Sequence, residues 1–157
     1  MKTKVIHRFN CYDENGKLAW QETVKNIVPT LGLNDILDQY FEGSSYTAAH
    51  YVGLKSTGTA VLADTMASHA SWTELTIYSE ATREVLTYAA ASGGSKVAVQ
   101  VSFSINGSGT IGGTFICTDG VKAATDGILI SALDFSSSHT VASGYTLTDD
   151  ITFTLSN

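Results

Sequence analysis

The sequence predicts a mainly β protein, an antiparallel β-sandwich with an N-terminal hairpin and one short helix. Alternating apolar and polar residues recur along most of the chain, and Gly, Ser and Thr residues separate these segments. Only one segment has the spacing of a helix. The chain has 157 residues, enough to bury a core without a disulfide or a metal, so we expect a single domain over residues 1–157.

The N-terminal hairpin is predicted over residues 1–26. Apolar and polar residues alternate over residues 5–11 and 18–24, on either side of an Asp-Glu-Asn-Gly turn. Both faces carry polar residues, so the hairpin could lie at a sheet edge or contact a neighbouring molecule. We therefore treat it as a candidate contact arm, with Phe9 and Trp20 as its candidate interface residues.

The short helix is predicted over residues 30–41, directly after the only proline, Pro29. Apolar residues recur there at helical spacing, and Gly43 is placed to end the helix. A lone short helix has little stability without a sheet to cover. We therefore expect its apolar stripe to pack on the core rather than to form a groove for a partner.

The rest of the chain is predicted to be almost wholly β. The alternation from Val97 to Ile105 is unbroken, and Asn106-Gly107 is predicted to close a hairpin with residues 109–118. In the last strand Asp149 interrupts the apolar positions, so we expect it at a bulge or at a solvated strand end. The other predicted strands cover residues 51–55, 72–78, 83–89, 128–132 and 147–155.

Composition excludes several classes of function. The net charge is −6, whereas proteins that bind nucleic acid concentrate Lys and Arg. No apolar run is long enough to cross a bilayer or to act as a secretion signal. Cys11 and Cys117 lie far apart and match no metal-ligand spacing, so we expect two reduced, partly buried thiols.

An enzyme is not predicted, although Asp64, Ser68, His69 and Glu74 include the residue types of a hydrolytic triad. A triad needs an activated hydroxyl on a strained turn, and no Gly-x-Ser-x-Gly element precedes a helix here. Adjacent Ser68 and His69 would also point apart on a strand. We instead expect a loop in which Asp64 and Ser68 bind backbone N–H groups while Trp72 packs.

No metal site or cofactor is predicted. The four histidines are scattered and none is paired at ligand spacing, and no Asp-x-Asp-x-Asp-Gly calcium loop is present. The glycines at 107–113 lack the following helix and Lys of a phosphate loop. Sugar binding by aromatic residues such as Trp72 stays open as a minor alternative to core packing.

The stretch from Ala89 to Thr148 carries few charged residues. A solvated monomer usually spreads charge over its exposed strands, whereas interfaces are depleted in charge. The composition therefore fits either contact with another subunit or a solvated, hydroxyl-rich surface.

The segment Ala63–Glu74, preceded by Gly53-Leu54, resembles a motif of small virion proteins of tailed bacteriophages. In that family Gly-Leu and a variable loop precede Asp-Thr-Met-Ala-Ser-His-Ala-x-Trp-Thr-Glu, and its members are described as capsid decoration (cement) or tail-fibre proteins. The resemblance also covers Gly32–Asp38, His50–Lys55 and Ser143–Leu147. The family often has Gly-Asp where this chain has Gly144-Tyr145.

The resemblance implies a β-rich virion component. Our preferred hypothesis is a decoration protein that binds the outer head surface and stabilises the capsid lattice. Its partners would be the major capsid protein and sister subunits in a homo-oligomer such as a trimer, with no nucleic acid or membrane partner. The protein would be made in the host cytoplasm and reside on the outer capsid surface. The alternative is a tail-fibre or receptor-binding module that contacts host surface glycans. The candidate motif and interface residues are Asp64, Met66, Ser68, His69, Trp72, Glu74, Arg83, Phe9 and Trp20.

Overall fold

The structure, a computed structural model, describes residues 2–41 and 49–156. Its strands are β1 (Lys2–Tyr12), β2 (Leu18–Lys25), β3 (His50–Lys55), β4 (Glu74–Leu75), β5 (Glu84–Leu86), β6 (Ser95–Val97), β7 (Val101–Ser104), β8 (Gly109–Cys117), β9 (Leu129–Val141) and β10 (Thr146–Ser156). Helix α1 spans Thr30–Phe41. Two antiparallel sheets enclose the core, which confirms the predicted β-sandwich with one short helix.

The first sheet is built around the two ends of the chain. β1 pairs with β10 along its full length and with β2 on its other side, while β6 and β7 pair with the far edge of β10. The N-terminal hairpin is therefore part of the sheet, and Val5, Phe9 and Cys11 of β1 are buried. Contact through this hairpin would use β2, which lies at the sheet edge, or exposed outer positions of β1 such as Arg8.

The second sheet has β8 between β3 and β9, and both β4 and β5 pair with the far edge of β3. Single bridges join the two sheets at both sides, Ile27 with Ala132 and Tyr78 with Ile105. Joining the sheets in this way reduces the length of open strand edge that another chain could extend.

The core has two layers. The larger cluster lies between the sheets and includes Phe9, Phe103 and Ile116. Phe115 and Cys117 alternate with Ile116 along β8, so they point to the outer face of the second sheet. The loop between β3 and β4 covers that outer face, which places the motif segment over a second, smaller core.

Helix α1 begins and ends where the sequence predicts, but its exposed face is more apolar than expected. Gly32 is buried against the Ile130 backbone of β9, where no side chain would fit. Leu33 and Ile36 are 39% and 36% exposed, so the expectation that these two positions pack on the core is wrong. Gly43, the predicted helix stop, lies outside the described residues.

The predicted hairpin at Asn106-Gly107 is wrong. β7 pairs with β10 in the first sheet, whereas β8 pairs with β3 and β9 in the second. At the turn the N–H of Ile105 donates to Tyr145 and that of Asn106 donates to Ile77, so the chain crosses between sheets here. The unbroken strand predicted from Val97 to Ile105 is also divided, because β6 ends at Val97 and β7 spans Val101–Ser104.

Asp149 was predicted at a bulge or a solvated strand end, and this is wrong. It is 0% exposed, in the regular part of β10, and its Oδ2 lies 2.7 Å from Nδ1 of the equally buried His7. Burial raises the pKa of Asp149 despite the opposing effect of His7. The buried partner on β1 explains why an aspartate occupies an inward position.

Candidate functional site

The loop between β3 and β4 packs Trp72 onto the outer face of the second sheet. Trp72 is 3% exposed, and its ring centroid lies 5.4 Å from that of Phe115. Its Nε1–H donates to Asp64 Oδ2 at 2.9 Å, and the same oxygen accepts the N–H of Val61 at 3.0 Å. The prediction that Asp64 binds a backbone N–H is confirmed. Met66 is buried beside them, so all three motif residues support the loop.

Ser68 and His69 have separate roles in the same loop. The side chain that accepts the N–H of Ser68 is the hydroxyl of Thr65, at 3.0 Å, so the role predicted for Ser68 falls to Thr65. His69 stacks on Trp72 at 3.9 Å between ring centroids, and its Nδ1–H donates to the Trp72 carbonyl oxygen at 2.8 Å. This contact holds the imidazole against the indole.

Arg83 and Glu74 form a buried ion pair under the loop. Arg83 is 0% exposed, and its Nε and Nη2 donate to the two carboxylate oxygens of Glu74 at 3.0 and 2.7 Å. Nη2 also donates to the Ala124 carbonyl, and Nη1 donates to the Asp119 carbonyl and to Cys117 Sγ. Burial alone would lower the pKa of Arg83, but Glu74 raises it above its ordinary value. The cation is thus fully bonded inside the protein.

Sequence reasoning missed a second ion pair, that of the buried Lys55 with the part-exposed Asp134. Lys55 Nζ is 2.7 Å from Asp134 Oδ1 and also donates to the Gly58 carbonyl at 2.7 Å. The carboxylate in turn accepts the N–H of Ala60. Lys55 and Asp134 both lie opposite Gly113 of β8, which has no side chain to separate them. Lys55 lies on the outer face of the second sheet, under the loop that carries Trp72.

The two candidate interface residues of the hairpin differ in exposure. Phe9 is 0% exposed, so it is a core residue and not a contact for another molecule. Trp20 is half-buried and stacks on His139, with 3.9 Å between ring centroids. His139 Nε2 lies 2.9 Å from Glu22 Oε2, and Glu22 Oε1 accepts the N–H of Ser136. Trp20 thus belongs to a clamp that ties β2 to β9.

Cys11 and Cys117 are free and buried, as predicted for reduced thiols. Burial raises the pKa of each thiol to about 11. Both side chains therefore stay protonated at neutral pH and act as small apolar groups.

Five aliphatic residues form an exposed surface that we call the helix patch. They belong to α1 and to the loop after β3, and they are 36–59% exposed: Leu31, Leu33, Ile36, Val61 and Leu62. The N–H of Thr30 donates to the Leu62 carbonyl at 3.3 Å, which holds the two segments side by side. Exposed aliphatic side chains on two adjacent segments of a soluble protein are typical of a contact site.

A second exposed apolar surface, the valine ribbon, consists of Val85, Val97 and Val99. They are 49–61% exposed. Hydrogen bonds of Val99 N–H to Thr87 and of Ala89 N–H to Val97 pair the two segments. The three valines therefore project from one face of this pair of segments, the second of which also pairs with β10.

Within residues 2–41 and 49–156, no three His, Cys, Asp or Glu side chains are grouped to hold a metal ion. No helix in the same ranges has the length and apolarity needed to span a membrane. Comparison with protein-family models, with curated protein sequences and with solved structures found no match for the chain.

Proposed function

We propose that the protein is a structural component of a tailed-phage virion that binds the outer surface of the assembled head as a decoration, or cement, protein. The helix patch is the observation that carries this proposal. Aliphatic side chains exposed on a folded surface gain free energy when a partner covers them, at about 25 cal/mol per Å² of apolar area. The resemblance of the segment over Trp72 to virion proteins supplies the kind of partner, the capsid lattice.

Two further features agree with this function. The segment from Ala89 to Thr148 is poor in charge and includes two residues of the valine ribbon, Val97 and Val99. Depletion of charge is typical of surfaces that meet another subunit. The helix patch would contact the capsid protein, and the valine ribbon would contact a sister subunit.

The mechanism would be mass action. A folded protein that binds only the mature lattice stabilises that lattice in proportion to the free energy of binding. The ion pairs Arg83–Glu74 and Lys55–Asp134 hold the loop and sheet that border the helix patch. A contact surface fixed before binding loses less conformational entropy when it docks.

The first experiment locates the protein. Virions of the phage that encodes it are labelled with a gold-tagged antibody, and copies per particle are counted by quantitative mass spectrometry. Label over the whole head in many copies is expected. Label confined to the tail in a few copies would overturn the proposal in favour of a tail-fibre or receptor-binding module.

The second experiment tests the helix patch. Purified variants are added to particles that lack the protein, and occupancy and survival of infectivity on heating are measured. The double variant Leu33→Gln, Leu62→Gln is expected to lose occupancy and heat protection. A matched control, Ser102→Gln with Ser104→Gln on exposed positions of β7, should bind normally. Equal occupancy of the two variants would exclude the helix patch as the capsid contact.

A further inference from the structure

A surface cleft lies beside the Lys55–Asp134 pair, where the loop between β3 and β4 leaves the end of β3. The ladder between β8 and β9 is irregular there, because residues 135–138 of β9 stand opposite Gly112 of β8 alone. The extra residues bulge away from β8, and the loop after β3 borders the gap. The cleft has a volume of about 230 Å³.

Five of the residues that line the cleft carry hydroxyl groups, and all five are exposed. Two belong to the loop and three to the bulge: Thr57, Thr59, Ser136, Ser137 and Ser138. None of these hydroxyls has a hydrogen-bond partner in the part of the chain that the structure describes. Each can both donate and accept, so together they offer an array that matches a ligand with several hydroxyls of its own.

The charge of the cleft is balanced. Asp134 is the ionisable residue in its lining, and its side chain is 34% exposed. Lys55, which is fully buried, neutralises that carboxylate at 2.7 Å and fixes its orientation. The carboxylate keeps acceptor capacity for ligand hydroxyls, since each oxygen has two lone pairs. This carboxylate would repel an anionic ligand, and a cationic ligand would compete with Lys55 for the carboxylate. The cleft therefore favours an uncharged ligand.

The volume of the cleft limits the size of the ligand. Pockets for drug-sized ligands measure about 300–1,000 Å³, and this cleft is smaller. It therefore suits a single sugar ring. Trp72, the aromatic residue that the sequence suggested for sugar contact, is buried near Lys55 and does not line the cleft.

We propose that this cleft between the β8–β9 bulge and the loop after β3 is a binding site for one neutral sugar ring of a glycan. The Asp134 carboxylate accepts hydrogen bonds from adjacent ring hydroxyls, and the threonine and serine hydroxyls bind the others. The site does not depend on whether the protein lies on the head or on the tail.

The test is saturation-transfer NMR with methyl glycosides of glucose, galactose, mannose and N-acetylglucosamine, with glucuronate as a charged comparison. At least one neutral glycoside is expected to bind and to shift the backbone amide signals of residues 57–59 and 134–138. The cleft variant Thr59→Val, Ser138→Ala should bind it roughly tenfold more weakly, as expected for two lost hydrogen bonds. The control variant Ser102→Ala, Ser104→Ala, on exposed positions of β7, should bind as the parent does.

Three outcomes would overturn the site. They are no saturation transfer from any neutral glycoside, binding of glucuronate alone, and a cleft variant that binds as tightly as the control variant. Unfolding temperatures of both variants are measured alongside. Asp134 is left unchanged, because its removal would strip Lys55 of its counter-ion.

Discussion

Arg83 shows at the residue scale how the motif is held together. Because Glu74 is bonded to Arg83 through both oxygens, the change Arg83→Met would leave a largely buried carboxylate without its counter-ion. Removing one member of a buried ion pair costs about 3–5 kcal/mol. We expect a fall of this size in the free energy of unfolding, measured by urea denaturation. The control Arg8→Met, on an exposed position of β1, should stay within about 0.5 kcal/mol of the parent. A similar result for both variants would contradict the role given to the pair.

The indole hydrogen bond of Trp72 can be separated from its packing. Trp72 Nε1–H donates to Asp64, whereas Trp20 Nε1 is buried with no partner among the described residues. The change Trp72→Phe should therefore leave Asp64 under-bonded and cost about 1–3 kcal/mol beyond the lost ring area. Trp20→Phe removes a half-buried indole that makes no hydrogen bond through its Nε1, and it serves as the control. Thermal unfolding of the two variants, together with a double-mutant cycle between Trp72→Phe and Asp64→Ala, measures the difference. A coupling energy near zero would show that the bond does not stabilise the loop.

Part of the candidate site could be predicted from residue types. Asp64 and Trp72 were expected to act within one loop, and they do, because their roles depend on residues close in sequence. The partners of Arg83 come from the segments around Glu74 and residues 117–124, and no local pattern indicates that these segments meet. The Lys55–Asp134 pair was missed for the same reason, since it forms across a third strand.

At the scale of elements, close approach of strands explains one glycine. A Cβ built at Gly113 would overlap the carbonyl oxygen of Leu133 on β9, which is backbone and cannot rotate away. Gly113→Ala should therefore push β8 from β9 and cost at least about 1–3 kcal/mol. Gly107→Ala is the control, because its Cβ would lie 3.5 Å from Ile77, an ordinary contact. Urea denaturation of both variants tests this, and equal stabilities would show that the sheet absorbs the methyl group.

The positions of the strands were easier to predict than the pairing between strands. The bounds of α1 and the positions of β1, β2, β3 and β10 follow from local periodicity, which the sequence displays directly. The hairpin predicted at Asn106-Gly107 failed because a turn signal fixes where the chain reverses and not which strands pair afterwards. Pairing of β7 with β10 and of β8 with β9 depends on side chains from distant segments. The exposure of Leu33 and Ile36 likewise depends on how α1 sits on β9.

At the scale of the whole molecule, the single bridges Ile27–Ala132 and Tyr78–Ile105 join the two sheets at both sides and shorten the open strand edge. The helix patch and the valine ribbon then remain as apolar surfaces, while the cleft beside Asp134 offers polar groups. The fold thus presents two apolar surfaces and one polar cleft.

The clamp between β2 and β9 makes the stability of the whole fold depend on pH. Partial burial tends to raise the pKa of Glu22, but hydrogen bonds from Ser136 and His139 hold it below its ordinary value of 4.5. A carboxyl group whose pKa is lowered by folding stabilises the protein above its unfolded pKa, and this stability is lost as the pH falls through the lowered value.

Glu22→Gln should therefore lower the unfolding temperature at pH 7 by a few degrees, corresponding to about 1 kcal/mol. At pH 3 the gap between the two proteins should narrow, because Glu22 in the parent is then becoming protonated as well. Thermal unfolding at intervals from pH 7 to pH 3, with Glu14→Gln at the exposed hairpin turn as the control, measures this dependence. A gap between parent and Glu22→Gln that stays constant with pH would show that the glutamate charge does not hold β2 to β9.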